Sequence, residues 1–177
     1  MHPYSDATAP VLHWTWARFP QLSLQDLYDG LQLRARVFIL EQGPYLDLDG
    51  RDQHSWHLLG RLATPTVDLP AGALVAYLRV VDPGHKYEVE PSIGRVVTHA
   101  GVRGLGLGRA LVAQALAHCD ATAWPGQPNR ISAQAHLAGF YGSFGYVPEG
   151  EVYLEDQIPH LEMLRPSHSR CGLVAQG

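Results

Sequence analysis

The sequence predicts a single α+β domain, in which a mostly antiparallel mixed sheet contains one central pair of parallel strands and is flanked by helices. Two observations lead to this prediction. Apolar runs rich in β-branched residues alternate with segments of helical spacing, in the order strand, helix, about three strands, helix, strand, helix and two strands. One strand, at 93–98, is followed by a helix and another strand, which is the order of a right-handed parallel crossover.

The composition is that of an ordinary globular domain. Of the 177 residues, 46% are hydrophobic and 17% are charged, and the net charge of −4 provides no basic field for nucleic acid. No apolar run is long enough to cross a membrane, and the first ten residues lack the features of a signal peptide. Two cysteines without metal or redox spacing favour a reduced, cytoplasmic protein. We predict one domain at 11–165 between flexible tails at 1–10 and 166–177.

The N-terminal part of the domain predicts a strand, a helix and a loop. Residues 11–19 alternate bulky and polar side chains, as a half-buried strand does. Ser23 is a suitable N-cap for a helix whose apolar residues recur at helical spacing as far as about Leu40. Gly30 lies inside this pattern and marks its weakest point. Residues 43–53 are acidic and rich in turn formers, so they predict a loop.

The remaining elements come from apolar runs of strand length and from two helical patterns. The strands are predicted at 56–62, 73–81, 93–98, 130–135, 146–153 and 160–164. A helix is predicted at 107–118, where apolar residues recur at i, i+3 and i+4. A shorter helix is predicted at 136–144, followed by Gly145 as the residue that ends it. The loop 154–159 would join the last two strands.

The stretch from residue 93 to residue 119 has the clearest functional pattern. An apolar strand is followed by a turn containing Gly101 and Gly104, and then by a helix that opens near Gly106. The first turn of a helix has N–H groups without intrahelical partners, and the helix dipole makes that end partly positive. Glycines allow a ligand to approach the backbone closely. This arrangement predicts an anion site, for which phosphate is the typical ligand.

Three phosphate-binding patterns compete for this turn. A P-loop requires Lys-Ser or Lys-Thr after its glycines, which this turn lacks, so hydrolysis of ATP or GTP is disfavoured. The dinucleotide pattern Gly-x-Gly-x-x-Gly is incomplete, because Leu111 stands where its third glycine belongs. The third pattern, Arg-x-x-Gly-x-Gly, is complete at Arg103, Gly106 and Gly108. A glycine-rich turn without a ligand is the alternative to all three.

The Arg-x-x-Gly-x-Gly pattern resembles the acetyl-CoA loop of the GCN5-related N-acetyltransferases, the GNAT superfamily. Gln134, Tyr141 and Gly145 fall in a second segment that is similar to the family's short helix with Tyr followed by Gly-aromatic. The chain as a whole is similar to the ElaA group of this superfamily. The segments that carry the similarity are 27–52, 94–111, 133–150 and 155–163. Two features depart from the pattern: many members have Asn where Gln134 stands, and the loop after Gln42, which begins Gly43-Pro44-Tyr45, is short.

The resemblance implies the GNAT fold, in which the strand before the glycine loop splays from its parallel neighbour and opens a V-shaped cleft. The pantetheine of acetyl-CoA would pair with the free edge of that strand, and the pyrophosphate would bind the loop amides. The N–H of Val97 would stabilise the oxyanion. The residues implied to bind acetyl-CoA are Val96, Val97, Thr98, Arg103, Gly104, Leu105, Gly106, Leu107, Gly108, Arg109, Gln134 and Tyr141.

The reaction implied by the resemblance is transfer of an acetyl group from acetyl-CoA to a primary amine, by direct attack in a ternary complex. Tyr141 matches the family's acid for the departing thiolate, since a phenol is protonated at neutral pH. Packing on the cofactor is its alternative role. Glu41 and His160 are the favoured bases, because they lie in segments typical of the group. The other chemically plausible bases are His57, His99, His136 and a chain of waters.

The sequence leaves the acceptor and the assembly undecided. A non-catalytic acyl-CoA sensor on the same fold and a nucleotide-binding enzyme of another class are the competing functions. Apolar strands near the C-terminus could pair two subunits, and the sequence does not decide between a monomer and a homodimer. Neither nucleic acid nor membrane is an expected partner.

An acidic cluster at 47–52 and two nearby histidines are the candidates for a cation site. The cluster hints at a calcium loop, but Trp56 stands where the EF-hand pattern requires Glu. A turn and a site for a cationic amine are its remaining interpretations. His54 and His57 would face opposite sides of a strand and no third ligand stands out, so no metal is predicted.

Overall fold

The computed structural model describes residues 9–43 and 46–167, and within them the chain forms seven strands and three α-helices. The strands are β1 (Leu12–Arg18), β2 (Ser55–Leu62), β3 (Leu74–Val81), β4 (Ser92–Thr98), β5 (Asn129–Gln134), β6 (Val147–Glu155) and β7 (Ile158–Arg165). The helices are α1 (Leu24–Arg34), α2 (Leu107–His118) and α3 (Ala138–Gly142). The flexibility expected at 1–10 and 166–177 concerns segments that lie almost wholly outside the described residues, as do Pro44 and Tyr45 of the short loop.

The strands form two antiparallel sheets that meet at β4 and β5. One sheet has the order β1-β2-β3-β4 and the other the order β5-β7-β6. The chain is linked near the starts of β4 and β5, where the N–H of Arg130 donates to the carbonyl of Pro91, just before β4, at 3.2 Å. Among the described residues, no strand ladder joins β4 and β5 beyond this point. The crossover β4-α2-β5 and the splayed strand pair that the sequence and its resemblance predict are therefore confirmed.

The main core forms where α2 packs against both sheets. Leu111 and Val112 of α2 are fully buried and belong to one apolar cluster with Leu78 of β3, Ile131 of β5 and Met163 of β7. Burial of one such aliphatic side chain stabilises the fold by about 1.5–3 kcal/mol. Because α2 is fixed by this cluster, the glycine turn that joins β4 to α2 is held in place as well.

The structure decides two features that the sequence left open or predicted differently. The helix that begins after Ser23 passes Gly30 without a break and continues as a π-helical segment, Ala35–Glu41. Gly30 permits close packing there, since a Cβ would lie 3.4 Å from the ring of Tyr77. The loop predicted at 154–159 is wrong: β6 and β7 are joined by a two-residue turn, whose residues Asp156 and Gln157 have φ of 50° and 65°. Two consecutive left-handed residues are the geometry of a tight hairpin turn.

A β-bulge interrupts β4 at its centre. Tyr77 pairs with Val97 and Arg79 pairs with Gly94, so two residues of β4, Arg95 and Val96, face a single residue of β3. Arg95 has a φ of 54°, a left-handed conformation that is unfavourable for a side chain other than glycine. A bulge bends the strand and strengthens its twist, which turns β4 away from β5.

The side chain of Arg95 is held by the loop that precedes β2. Its Nε donates to Asp47 Oδ1 at 2.6 Å, and its guanidinium lies 5.8 Å from the centre of the Phe38 ring. The same Asp47 accepts from Nε of Arg34, which is 1% exposed, at 2.9 Å. The bulge in β4 is therefore tied through one carboxylate to the end of α1.

Two further aspartates complete this buried network. Asp52 Oδ1 accepts from Nη1 of Arg34 at 2.8 Å and from Nη1 of Arg79 at 2.7 Å. Asp49 accepts from both terminal nitrogens of Arg79. Burial disfavours the charged form of Asp52, but Arg34 and Arg79 outweigh this effect, so the pKa of Asp52 lies below its ordinary value. Its contribution to stability is complete above about pH 4 and declines as the pH falls below that value.

We expect Asp52→Ala to lower the free energy of unfolding by about 3–5 kcal/mol, because it leaves the charges of two buried arginines partly uncompensated. Glu149→Ala is the matched control: it also breaks an ion pair with an arginine, Arg130, but an exposed one, and should cost less than about 1 kcal/mol. Urea denaturation monitored by tryptophan fluorescence measures both. Equal losses in the two variants would contradict the role assigned to the network.

Candidate active site

The splayed strands β4 and β5 form the walls of a cleft between the two sheets. Four of the residues expected to act on acetyl-CoA or the amine line this cleft: Val96, Gln134, Tyr141 and His160. Glu41 does not line it. The cleft thus brings the expected acid together with one of the two favoured bases and leaves the other base outside.

The register of β4 decides which of its amides face the cleft. The N–H of His99 donates to the carbonyl of Val75 on β3 at 2.8 Å. Because N–H directions alternate along an antiparallel strand, the N–H of Val97 also points toward β3, where Val97 pairs with Tyr77. The side chain of Val97 is buried against Phe38 and its neighbours. This register argues against the oxyanion role expected of the Val97 N–H and leaves the amides of Val96 and Thr98 on the cleft side.

Six consecutive amides of the glycine turn and the first turn of α2 lack a protein acceptor. The N–H groups of residues 104–109 have no hydrogen-bond partner within the described residues. The turn before them closes with the N–H of Arg103 on the carbonyl of Ala100 at 3.3 Å, and the first helical bond runs from Ala110 to Gly106 at 3.1 Å. Six free donors beside the positive end of α2 form a cradle for an anion with several oxygens, such as a pyrophosphate.

The glycines of this cradle are required for different reasons. Gly104 and Gly106 have φ of 77° and 81°, so a side chain at either position would be strained. Gly108 has ordinary helical geometry, and a Cβ there would have no heavy atom within 4 Å. Neither backbone conformation nor packing explains Gly108, although glycine in a helix costs about 1 kcal/mol relative to alanine. Gly108 therefore leaves open space beside the first turn of α2.

The two arginines of the loop have partners in this structure. Arg103 forms a two-fold ion pair with Glu41, with N–O distances of 2.8 and 2.9 Å. The hydrogen bond from Arg103 lowers the pKa of Glu41 below its ordinary value, which makes this carboxylate a weaker base. Arg109 lies 5.0 Å from the centre of the Phe144 ring and donates to Ser143. The ion pair between Arg103 and Glu41 is exposed. Exposed ion pairs are weak, so a phosphate could replace Glu41 at Arg103.

Tyr141 has the properties of an acid. It is buried on α3 between the rings of Phe140 and Tyr146, and it lines the cleft. Burial raises the pKa of Tyr141 to about 12, so the phenol stays protonated throughout the physiological range. Its hydroxyl has no hydrogen-bond partner among the residues described, so it is available to donate to a group that enters the cleft.

His160 has the properties of a base. Its Nδ1 lies 2.9 Å from the carbonyl oxygen of Ile158, which can only accept. Nδ1 therefore donates, and in the neutral ring Nε2 carries the lone pair. Since His160 lies on β7 at the wall of the cleft, its ring can take a proton from a group bound there.

The other histidines considered as bases are placed less favourably. His57 is 1% exposed and bonded to the hydroxyl of Tyr77 and the carbonyl of Asp52, and its burial lowers its pKa. His99 caps the turn before the cradle by accepting from the N–H of Gly101. His136 is exposed, and neither it nor His99 lines the cleft.

The acidic cluster at 47–52 has a structural role. Asp47, Asp49 and Asp52 are all bound by arginines, so they have no free charge for a calcium ion or a cationic amine. Across the described part of the chain, no three His, Cys, Asp or Glu side chains gather as a metal site. Arg95, whose side chain this cluster positions, was missed in the sequence analysis. Neither the β-bulge at Arg95 nor its pairing with the distant Asp47 produces a pattern in the neighbouring sequence.

Comparisons with known proteins agree with this geometry. Residues 70–165 match the family model described as an acetyltransferase (GNAT) domain. The Escherichia coli protein ElaA is 40% identical over 159 residues, which cover 88% of this chain and 97% of that protein. The crystal structure of Escherichia coli ElaA superposes with a TM-score of 0.75, at 39% identity over 88% of this chain and 99% of the other. The crystal structure of an acyl-CoA N-acyltransferase from Pseudomonas aeruginosa superposes with a TM-score of 0.78, at 42% identity over 88% of this chain and 99% of the other.

We expect Gly108→Ala to weaken the binding of coenzyme A at least tenfold while leaving the free energy of unfolding unchanged or higher, because alanine favours the helix and its methyl group fills the cradle. Ala117→Gly, at the exposed far end of α2, is the matched control, with lower stability and unchanged binding. Titration calorimetry and urea denaturation report the two quantities separately. Unaltered coenzyme A affinity in Gly108→Ala would exclude a ligand at this end of α2.

Proposed function

The chain belongs to the ElaA group of the GNAT acetyltransferase family, and we propose that it transfers an acetyl group from acetyl-CoA to a primary amine. The observation that carries this proposal is the combination of six free amides at the start of α2 with a cleft that holds a protonated tyrosine and a histidine lone pair. The residues present fit the ligand: the cradle has donors for a pyrophosphate, and the open space at Gly108 gives its oxygens room.

Residues of the loop and of β4 would position the cofactor. The amides of residues 104–109 bind the pyrophosphate, with Arg103 exchanging Glu41 for a phosphate oxygen. The free edge of β4 at Val96 and Thr98 pairs with the amides of pantetheine, as an added strand does. Because Arg95 and Val96 form the bulge, the edge of β4 that would hold the cofactor lies where the strand turns away from β5.

The side chains of the cleft would then move protons. His160 accepts the proton of the attacking amine at Nε2, directly or through one water. The N–H of Val96 stabilises the negative charge that develops on the carbonyl oxygen. Tyr141 donates its phenolic proton to the departing sulfur. The raised pKa of Tyr141 keeps the phenol protonated until that step. No group of the protein becomes acylated, so amine and acetyl-CoA are bound together.

We predict that Tyr141→Phe reduces kcat by about 10²–10⁴-fold, the usual contribution of a positioned acid, while the Kd of acetyl-CoA stays within about twofold. Tyr28→Phe removes an equivalent hydroxyl from an exposed site on α1 and should change neither quantity. Thiol release in the presence of an amine panel measures kcat, and titration calorimetry measures Kd. A Tyr141→Phe enzyme with full kcat would limit Tyr141 to packing.

Replacing each of the two favoured bases in turn shows which of them acts as the base. His160→Gln should lower kcat by about 10²-fold or more, because it removes the lone pair in the cleft. Glu41→Gln should leave kcat almost unchanged and leave acetyl-CoA binding equal or tighter, because it releases Arg103 for the pyrophosphate. The reverse pattern would make Glu41 the base. A wild-type protein that binds acetyl-CoA and acetylates no amine in a broad panel would support the non-catalytic sensor instead.

A further inference from the structure

A second cavity adjoins the cleft at the opposite end of β4 from the glycine loop. It begins at Ser92, the first residue of β4, whereas the glycine loop follows Thr98, the last. The two cavities share Gly94, Arg95, Glu155 and Asp156 as common walls. A molecule that enters here therefore reaches the reacting centre from the side that the cofactor does not occupy.

Two residues that line this second cavity carry buried donors without an acceptor. Nε of Arg79 and the hydroxyl of Ser92 are buried polar atoms without a hydrogen-bond partner among the described residues, and both residues line the cavity. Arg79 is 3% exposed and Ser92 is 1% exposed. The guanidinium of Arg79 cannot turn to relieve this, because its other nitrogens are held by Asp49 and Asp52. An unsatisfied buried donor is unfavourable, so a ligand that accepts a hydrogen bond from it relieves part of that penalty.

A third donor, the ammonium of Lys86, completes the set. Lys86 is the only lysine of the chain, and it lines the same cavity. Within the described residues its ammonium has no ion pair or hydrogen bond, although the charges of Glu155 and Glu162 attract it, and it lies 5.2 Å from the centre of the Tyr87 ring. Burial lowers the pKa of Lys86 below its ordinary value. A partly desolvated ammonium is stabilised when an anion binds beside it.

Three acidic residues, Asp49, Glu155 and Asp156, also line the cavity. Asp49 is already bound by Arg79 and Arg51. Glu155 and Asp156 lie at the junction with the cleft, where Glu155 accepts from the hydroxyl of Ser132 at 2.9 Å. Negative charge is thus available where the cavity meets the cleft, and unpartnered donors are available on its walls.

We propose that this cavity is the acceptor subsite, and that it selects amines that carry a carboxylate. The carboxylate binds Lys86, the Ser92 hydroxyl and Nε of Arg79, while Glu155 and Asp156 attract the ammonium group to the junction, where His160 faces it from the cleft. A carboxylate fits better than a phosphate, since its single charge meets less repulsion from Glu155 and Asp49. This inference rests on the proposed acetyl transfer, whose substrate class it names.

The first test compares matched acceptors. ω-Amino acids from β-alanine to 6-aminohexanoate are each assayed against their own primary amides, with thiol release from acetyl-CoA as the readout. The carboxylates should have at least tenfold higher kcat/KM than the amides, and Lys86→Met should remove most of this preference, a loss of about 10- to 100-fold for the carboxylates only. Lys86→Arg keeps the charge and should keep the preference. Amides that react as well as the carboxylates overturn the proposal.

The second test does not depend on catalysis. Because Lys86 is the only lysine, the full chain labelled with ¹³Cε-lysine gives one methylene signal. Titration of the coenzyme A-loaded protein with the same compounds should shift this signal saturably for carboxylates and not for amides, and Ser92→Ala should weaken the effect. Carboxylate-specific shifts without acetyl transfer would support the subsite while contradicting the proposed function. If the methylene signal does not shift with carboxylates, or shifts equally with amides, the proposed subsite is wrong.

Discussion

The left-handed conformation of Arg95 is the constraint on which the cleft depends. Such a conformation costs about 1–3 kcal/mol for a residue other than glycine and persists only when the surroundings hold it. Here the surroundings are Asp47 and, behind it, the buried guanidinium of Arg34. The bulge that results turns β4 away from β5, frees the edge of β4 at Val96 and Thr98, and separates the cleft from the second cavity.

The two ends of β4 consequently have different chemistry. Beyond Thr98, six amides without a protein acceptor among the described residues lie at the positive end of α2. At the start of β4, the only lysine of the chain and two residues with unpartnered buried donors line the second cavity. Tyr141 and His160, the proposed acid and base, line the cleft. In the proposed reaction one strand would position a cofactor and an acceptor on opposite sides of one reacting centre, as direct transfer without an acylated protein requires.

The parts of the fold that depend on local pattern could be predicted from the sequence. Helix α2 has the predicted limits, because its apolar stripe and the glycines before it are unambiguous. The β6–β7 turn was not predicted, since Asp156 and Gln157 lack the glycine that usually marks such turns. In the site, Tyr141 and His160 both line the cleft, and the roles predicted for them stay predictions. The pairing of Glu41 with Arg103 joins residues 62 positions apart, and the network around Arg95 is equally non-local, so neither leaves a periodicity in the chain.

A crystal structure of the full chain with acetyl-CoA tests the central claim most directly. We predict pyrophosphate oxygens within hydrogen-bonding distance of the amides of residues 104–109, pantetheine along the edge of β4 at Val96 and Thr98, and the thioester sulfur next to the hydroxyl of Tyr141. A cofactor bound elsewhere, or one whose sulfur lies away from Tyr141 while Arg103 stays paired with Glu41, would contradict this account of the site.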